Sequence, residues 1–250
     1  LMGMTAENVA DKEQIGREEQ DAFAVRSQKL AQQAVESGRF RDEIVPIRYR
    51  DRKGREFLFD TDESYTPGTS YETLSKMRTA FKRADEGGTV TAGNACQLND
   101  GAAVLLVASE EAVEANGWSP MARIVSMATV GIDPSIMGLG PVQAVIQTLD
   151  RAGMDLRDVD LIELNEAFAA QSLGCIKEWC AHYQMTKEEI LEKTNVNGGA
   201  IALGHPVAAS GARILVTLMH ELKKRDLTWG LATLCVGGGM GTAMLIERCK

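Results

Sequence analysis

The sequence predicts a layered α/β fold, and three observations lead to that prediction. From residue 121 onward, short apolar segments alternate with longer segments of helical period, which is the pattern of strands and helices in layered α/β domains. Residues 102–108 form an apolar run without polar alternation, which predicts a strand buried on both faces. The last two apolar segments, 231–235 and 242–247, flank a glycine turn and predict antiparallel neighbouring strands.

The first 97 residues predict a mixed subdomain in front of this unit. Apolar residues recur near the helical period after residue 17, and Gly38 then stands where a left-handed helix cap belongs. Two short strands around a turn at 51–54 predict a hairpin. The expected elements are helices over 5–12 and 17–37, strands over 44–49 and 56–59, and a partly helical segment over 71–81.

In the rest of the chain, strands and helices are expected in turn. The predicted strands are 102–108, 124–130, 159–164, 231–235 and 242–247. The predicted helices are 110–115, 142–152, 165–183, 187–193 and 210–224.

Composition excludes several classes of protein. The chain has 250 residues, with 44% hydrophobic and 25% charged residues, as in an ordinary globular protein. The net charge of −8 argues against a nucleic-acid partner, because phosphate binding needs a basic face. Five cysteines match no disulfide framework, which favours a reducing compartment. Cys175 and Cys180 have no histidine at ligand spacing, so no metal site is expected.

Residues 195–213 hold the most informative local pattern, a histidine between glycine and proline before a predicted helix. Gly204 permits a close backbone approach and Pro206 restricts φ, so the ring of His205 would point in a defined direction. Such a histidine suits a general base. A purely structural turn histidine fits the same pattern, so this pattern alone leaves both interpretations open.

A second glycine-rich turn follows Cys235 at the end of a predicted strand. The three glycines at 237–239 leave backbone N–H groups uncovered, and such groups can form an oxyanion hole. A thiol beside them can serve as a nucleophile or a proton carrier. The alternative is a tight hairpin with a buried cysteine that has no chemical role.

Asn165 follows a predicted strand and precedes a predicted helix. It can cap that helix, which the local sequence favours, or present its amide to a reacting oxygen or a water. Neither glycine-rich turn has the spacing of a dinucleotide fingerprint or a phosphate-binding loop, which disfavours a nucleotide-binding interpretation.

Taken together, these motifs resemble those of a known family. The chain carries NEAFAA from Asn165, NGGAIALGHP from Asn197 and CVGGG from Cys235, in that order. Upstream it carries MGMTAEN from Met2 and TAGNA from Thr91. These motifs strongly resemble the thiolase family, that is, the acetyl-CoA acetyltransferases and 3-ketoacyl-CoA thiolases, and the resemblance covers essentially the whole chain.

The resemblance implies a five-layered α/β/α/β/α fold made of two similar halves, with a loop domain that holds coenzyme A. The fold is expected to be incomplete here. Residues 1–97 would be the loop domain, 98–118 the last strand and helix of the N-terminal half, and 119–250 the C-terminal half.

The implied reaction is thiolytic cleavage of a 3-ketoacyl-CoA or its reverse, Claisen condensation of acyl-CoAs, within fatty-acid and lipid metabolism. By the resemblance, His205 activates the nucleophilic cysteine and forms one oxyanion hole with a water held by Asn165. Cys235 is the acid/base that moves the α-proton, and the backbone N–H of Gly237 contributes to a second oxyanion hole. The implied contacts with CoA or the substrate are Met2, Thr73, Ala92, Cys96, Met137, Ala167 and Phe168.

One departure from the family pattern bears on activity. The family's nucleophilic cysteine lies in its N-terminal half, within a Cys-Gly/Ser-Ser/Gly type of motif, and no such motif occurs here. Cys96 stands where the family usually has a serine that contacts CoA. We therefore expect a missing N-terminal thiolase portion to supply the nucleophile and this chain alone to be inactive. The alternative is an inactive thiolase fragment that binds CoA or a partner chain, while the CVGGG motif disfavours a ketoacyl synthase.

The resemblance also sets expectations for partners and location. Acyl-CoA and CoA are expected as substrates, with no cofactor beyond them, and assembly is expected as a homodimer or homotetramer. No nucleic acid or membrane partner is expected. The expected location is the cytoplasm, with mitochondria and peroxisomes left open.

Overall fold

The computed structural model describes residues 1–249, and its centre is a mixed sheet of four strands. The strand order is β3-β6-β5-β4, in which β4 and β5 are parallel and the other neighbours are antiparallel. A separate antiparallel hairpin of two strands lies in the first 97 residues, as the sequence predicts. The strands are β1 (Ile47–Arg50), β2 (Glu56–Phe59), β3 (Ala122–Gly131), β4 (Leu161–Leu164), β5 (Trp229–Val236) and β6 (Met240–Arg248).

Most helices match their predicted positions within a few residues. The helices are α1 (Met2–Glu13), α2 (Arg17–Glu36), α3 (Tyr71–Ser75), α4 (Glu110–Asn116), α5 (Gly140–Ala152), α6 (Ala169–Tyr183), α7 (Lys187–Lys193), α8 (Ala200–Leu203) and α9 (Ser210–Lys224). The single turn of α8 within the NGGAIALGHP motif was not predicted, because four residues are too few to show a helical period. No helix among residues 1–249 is long and apolar enough to cross a membrane.

Helices cover both faces of the sheet. Successive strand residues point to opposite faces, so Leu161 packs towards α9 while Ile162 packs towards the core shared with α5 and α6. The same alternation separates Leu231 from Ala232 on the next strand. Because each face is covered, β4 is buried along its whole length. This arrangement gives the layered α/β architecture that the sequence predicts.

The predicted strand over 102–108 is wrong. These residues pair with no strand among residues 1–249, and Val104 and Leu106 are 89% and 79% exposed. A strand buried on both faces needs neighbouring strands and two covering layers, and the described part of the chain provides neither for this run. The run therefore lies on the surface without regular secondary structure, and α4 follows it as predicted.

Candidate active site

Asn165 lies directly after β4, deep inside the molecule. Its backbone N–H donates to the carbonyl of Thr233 on β5 at 3.0 Å, and the residue is only 1% exposed. Neither its side-chain oxygen nor its nitrogen has a hydrogen-bond partner among residues 1–249. The helix-cap interpretation is wrong, because α6 begins at Ala169 and Phe168 occupies the N-cap position. The buried amide is therefore free to bind a small polar group.

Glu166 is a buried carboxylate that holds the loop after β4 to neighbouring elements. It accepts hydrogen bonds from the Ser27 hydroxyl of α2 at 2.5 Å, from the Asn195 amide at 2.8 Å and from the Ile201 N–H at 3.2 Å. Asn195 also hydrogen-bonds the backbone N–H and C=O of Leu164, at 2.9 and 2.8 Å. Burial raises the pKa of Glu166, and these donors oppose that rise. The network fixes the backbone that carries Asn165.

The turn that carries His205 is held on both sides. Gly204 has φ 88°, and a Cβ there would lie 2.2 Å from the Asn99 amide oxygen, so only glycine fits without a shift. The backbone N–H of His205 donates to the carbonyl of Gln97 at 2.9 Å. On the imidazole, Nδ1 lies 2.6 Å from the hydroxyl oxygen of Ser210, the first residue of α9. The ring therefore has a defined orientation.

The half-buried imidazole is held in its neutral form. Burial lowers the pKa of His205, and the positive charge of Arg213 lowers it further. Arg213 in turn lies 3.4 Å from the carboxylate of Glu163 on β4. A neutral imidazole can accept a proton, which is the property that a general base needs.

Cys235 lies near the end of β5, opposite Gly241 of β6. Burial raises the pKa of its thiol to about 12, and the negative charge that Cys96 would carry adds to that rise. The thiol is therefore protonated at neutral pH. Cys235 thus holds a proton at the same pH at which His205 can accept one.

The glycine turn after Cys235 is open at its first residue and packed at its last. Nothing lies within 4 Å of the Cβ position of Gly237, which is exposed. Gly239 has φ 94°, and a Cβ there would lie 2.4 Å from the carbonyl oxygen of Ile132. The turn thus requires glycine at 239 and leaves space beside the backbone of Gly237.

The segment 94–97 joins two of these regions. The N–H of Cys96 donates to the carbonyl of Ala167 at 3.0 Å, which ties the segment to the loop after β4. The carbonyl of Gln97 receives the N–H of His205. One short segment is therefore hydrogen-bonded to both the loop with Asn165 and the turn with His205.

The parallel pairing of β4 and β5 connects Cys235 to the loop that carries Asn165. Leu164 pairs with Thr233, so the ends of β4 and β5 lie side by side. Asn165 follows one of these strand ends, and Cys235 lies two residues beyond Thr233 on the other. Asn165, His205 and Cys235 are thus positioned by elements that meet at one edge of the sheet.

The residues expected to contact CoA fall into three groups. Thr73 and Ala92 line a cavity of about 360 Å³ between α2, α3 and the segment 92–97. Cys96, Ala167 and Phe168 lie together through the Cys96–Ala167 hydrogen bond and a β-bridge beside it.

Met2 and Met137 lie on elements next to Phe168. Met2 opens α1, where Gly3 packs against the ring of Phe81, and that ring stacks edge-on with Phe168 at 6.2 Å. Met137 is buried in a short 3-10 helix, Pro134–Leu139, that packs between α1 and α6.

Several residues of the site had not been predicted from the sequence. Glu166 and Arg213 act through contacts with residues that are distant in the chain, whereas Ser210 contacts His205 nearby. Only Ser210 left a sequence signal, because it stands five residues after His205 at the start of a predicted helix. Among residues 1–249, no group of three His, Cys, Asp or Glu side chains is arranged to hold a metal ion.

Comparison with known proteins identifies the family. A family model described as the N-terminal domain of thiolase matches residues 1–111, and one described as its C-terminal domain matches residues 118–248. The acetyl-CoA acetyltransferase of Syntrophomonas wolfei subsp. wolfei is 54% identical over 248 residues, which cover 98% of this chain and 59% of that protein.

Solved structures agree in fold. The acetyl-CoA acetyltransferase of Bacillus anthracis matches with a TM-score of 0.92 and 47% identity, over 100% of this chain and 60% of that one. Human mitochondrial 3-ketoacyl-CoA thiolase in complex with CoA matches with a TM-score of 0.86 and 42% identity, over 99% of this chain and 59% of that one. The chain thus spans about 60% of the length of the relatives it matches. With both thiolase domain models and the thiolase fold in place, the chain belongs to the thiolase family.

Proposed function

We propose that this chain acts in an acyl-CoA C-acyltransferase of the acetyl-CoA acetyltransferase type. It would cleave a 3-ketoacyl-CoA with CoA, or condense two acyl-CoAs in the reverse direction. The observation that supports this best is that a neutral imidazole, a protonated thiol and an unpaired buried amide are carried by elements that are joined around the carboxyl ends of β4 and β5. The nucleophilic cysteine comes from a region of the protein outside these 250 residues.

The protonation states suit the cleavage direction. His205 takes the proton of the nucleophilic thiol, and the resulting thiolate attacks the 3-keto carbon and forms a bond to it. The bond between the second and third carbons then breaks, and Cys235 gives its proton to the carbanion that leaves as acetyl-CoA. The thiol of a second CoA gives its proton to the Cys235 thiolate and attacks the acyl-enzyme. The bond between the acyl carbon and the enzyme sulfur then breaks, which frees the new acyl-CoA, and the departing enzyme thiolate takes its proton back from His205.

Oxyanions that form in these steps need hydrogen-bond donors. We place one oxyanion hole between His205 and a water held by the Asn165 amide, which has no other partner among residues 1–249. A second hole uses the backbone N–H of Gly237, beside which the turn leaves open space. The Gly237 N–H belongs to a turn that is formed before the substrate arrives, whereas His205 becomes a donor only once it has taken the proton of the nucleophilic thiol.

Binding of CoA is assigned to the cavity that Thr73 and Ala92 line. Its wall includes Gln28, whose side chain accepts a hydrogen bond from the Thr66 N–H at 2.8 Å and donates to the Ile201 carbonyl at 3.2 Å. A wall fixed in this way gives a cavity that exists before the ligand binds. We further propose that residues 1–97 form the loop domain, that the protein assembles as a homodimer or homotetramer, and that it works in the cytoplasm.

The test is a thiolysis assay with acetoacetyl-CoA and CoA. The chain is assayed alone and after co-expression with the segment of the S. wolfei relative that precedes the matched region. We expect turnover only with that segment present, and a fall in kcat of about a thousandfold or more in both His205→Ala and Cys235→Ala.

Matched controls separate chemistry from folding. His182→Ala removes an exposed histidine and Cys249→Ala a half-buried cysteine, so both should retain full turnover. Calorimetric binding of CoA without turnover in any combination would instead support the inactive fragment. Turnover that survives both His205→Ala and Cys235→Ala would refute the assigned roles.

A further inference from the structure

His205 is held by a side chain that has no role in the proposed reaction so far. Its Nδ1 lies 2.6 Å from the hydroxyl oxygen of Ser210, and that oxygen lies 3.1 Å from the carbonyl oxygen of Pro206. Ser210 is itself buried, with 1% of its surface exposed. We propose that Ser210 is a positioning residue that fixes the tautomer of His205, with the proton on Nδ1 and the lone pair on Nε2.

The hydroxyl group of Ser210 has a single proton to donate. If Ser210 donates to the Pro206 carbonyl, its oxygen is free to accept from Nδ1–H, and two hydrogen bonds form. If Ser210 donates to Nδ1 instead, the bond to Pro206 is lost and the imidazole proton must reside on Nε2. Among residues 1–249, no group accepts a hydrogen bond from Nε2 of His205. The first arrangement therefore satisfies more donors.

The position of Ser210 in the fold makes this arrangement rigid. Ser210 is the first residue of α9, and its backbone N–H also donates to the Pro206 carbonyl, at 2.9 Å. Pro206 directly follows His205, so the acceptor that orients the hydroxyl belongs to the same turn as the imidazole. The ring, the hydroxyl and the carbonyl thus form one closed local unit.

The charge of Arg213 acts in the same sense. Arg213 lies one turn after Ser210 on α9, and it disfavours the imidazolium form of His205. A neutral ring has two tautomers, and only the ring with a free Nε2 can accept a proton on the side away from Ser210. The catalytic consequence rests on the proposed function, whereas the tautomer itself does not.

The first measurement uses the isotope-labelled 250-residue chain without substrate. Nitrogen chemical shifts of the imidazole, assigned with His205→Gln, report which nitrogen carries the proton. We expect the Nδ1–H tautomer to dominate in the wild type. In Ser210→Ala the tautomer ratio should shift towards Nε2–H by about tenfold, because one hydrogen bond is lost.

Two further variants separate the effect of the Ser210 hydroxyl from a general effect of the substitution. Ser210→Thr retains a hydroxyl and should retain the wild-type tautomer. Ser172→Ala removes another buried hydroxyl, one with no partner among residues 1–249, and should change nothing in the His205 signals. If Ser210→Ala does not fold, the wild-type and Ser210→Thr spectra still decide. A wild-type ring with its proton on Nε2, or an unchanged ratio in Ser210→Ala, would overturn the proposal.

A second measurement addresses catalysis in the co-expressed enzyme. Ser210→Ala should lower kcat about tenfold with KM for acetoacetyl-CoA unchanged, and Ser210→Thr should restore kcat. A loss of tautomer control without any change in kcat would show that the orientation of His205 does not limit the reaction. Failure of the wild type to turn over would count against the proposed function and leave the tautomer result standing.

Discussion

Two segments of strand length, both containing leucine and alanine, lie in opposite environments. Residues 230–234 of β5 read GLATL, and Leu231 is fully buried between neighbouring strands and helices. Residues 102–108 read AAVLLVA, yet Leu106 is largely exposed and the run has no strand partner among residues 1–249. The difference shows that an apolar sequence makes a segment suitable for burial, whereas the neighbouring strands and helices decide whether it is buried.

Among substitutions that test this difference, one at Leu231 should have the largest effect on stability. Leu231→Ala should lower the free energy of unfolding by about 3 kcal/mol, because it removes a buried side chain from a core that can relax only in part. Urea unfolding followed by circular dichroism measures this loss. A change below about 0.5 kcal/mol would mean that this part of the core is not packed as described.

A smaller effect is expected at Glu163, a charged residue that β4 buries together with its leucines. Burial raises the pKa of Glu163 to about 8, opposed by the charge of Arg213. The folded pKa lies above that of the unfolded chain, so the stability that protonation of Glu163 contributes is fully present below about pH 4 and is lost as pH rises through 8. Stability should therefore fall by about 2 kcal/mol between pH 5 and pH 8.

The variant Glu163→Gln tests this assignment. It keeps the size of the side chain and removes its titration, so the fall in unfolding free energy from pH 5 to pH 8 should become shallower. Glu43 has a pKa raised to about 7 by burial and contributes a slope of the same sign, so the slope should not vanish. A slope as steep as that of the wild type would show that Glu163 does not titrate in this range.

The sequence was sufficient to predict the elements that depend mainly on residues nearby in the chain. The alternation after residue 121, the hairpin β5–β6 and most helix bounds followed from period and turn residues. The three C-terminal motifs were sufficient to identify the family. Local patterns could not assign the environment of 102–108, because that depends on partners distant in the chain. The contact of Glu166 with Ser27 was out of reach for the same reason. The contact of Ser210 with His205 is local, but it depends on the conformation of the turn between them, which the sequence does not specify.

Asn165 illustrates this limit at a single residue. Its position before a helix favoured a cap, since the sequence alone cannot show where the first helical turn begins. In the fold, three residues separate it from α6, and its amide is buried without a partner among residues 1–249. A buried polar group in that state is uncommon, which makes it a stronger indication of function than the sequence position was.

The smallest change in stability is expected in the exposed residues 102–108, where the difference from β5 is tested most directly. Leu106→Gln should alter the free energy of unfolding by less than about 0.5 kcal/mol, since its side chain is already exposed to water. It should, however, reduce self-association in sedimentation experiments, because Val104, Leu106 and Val107 are all largely exposed to water. Leu58→Gln in the exposed hairpin β1–β2 is the matched control for removing an exposed leucine elsewhere. If Leu106→Gln destabilised the chain as much as Leu231→Ala, both runs would be buried in solution, and partners for 102–108 would have to come from a second copy of the chain.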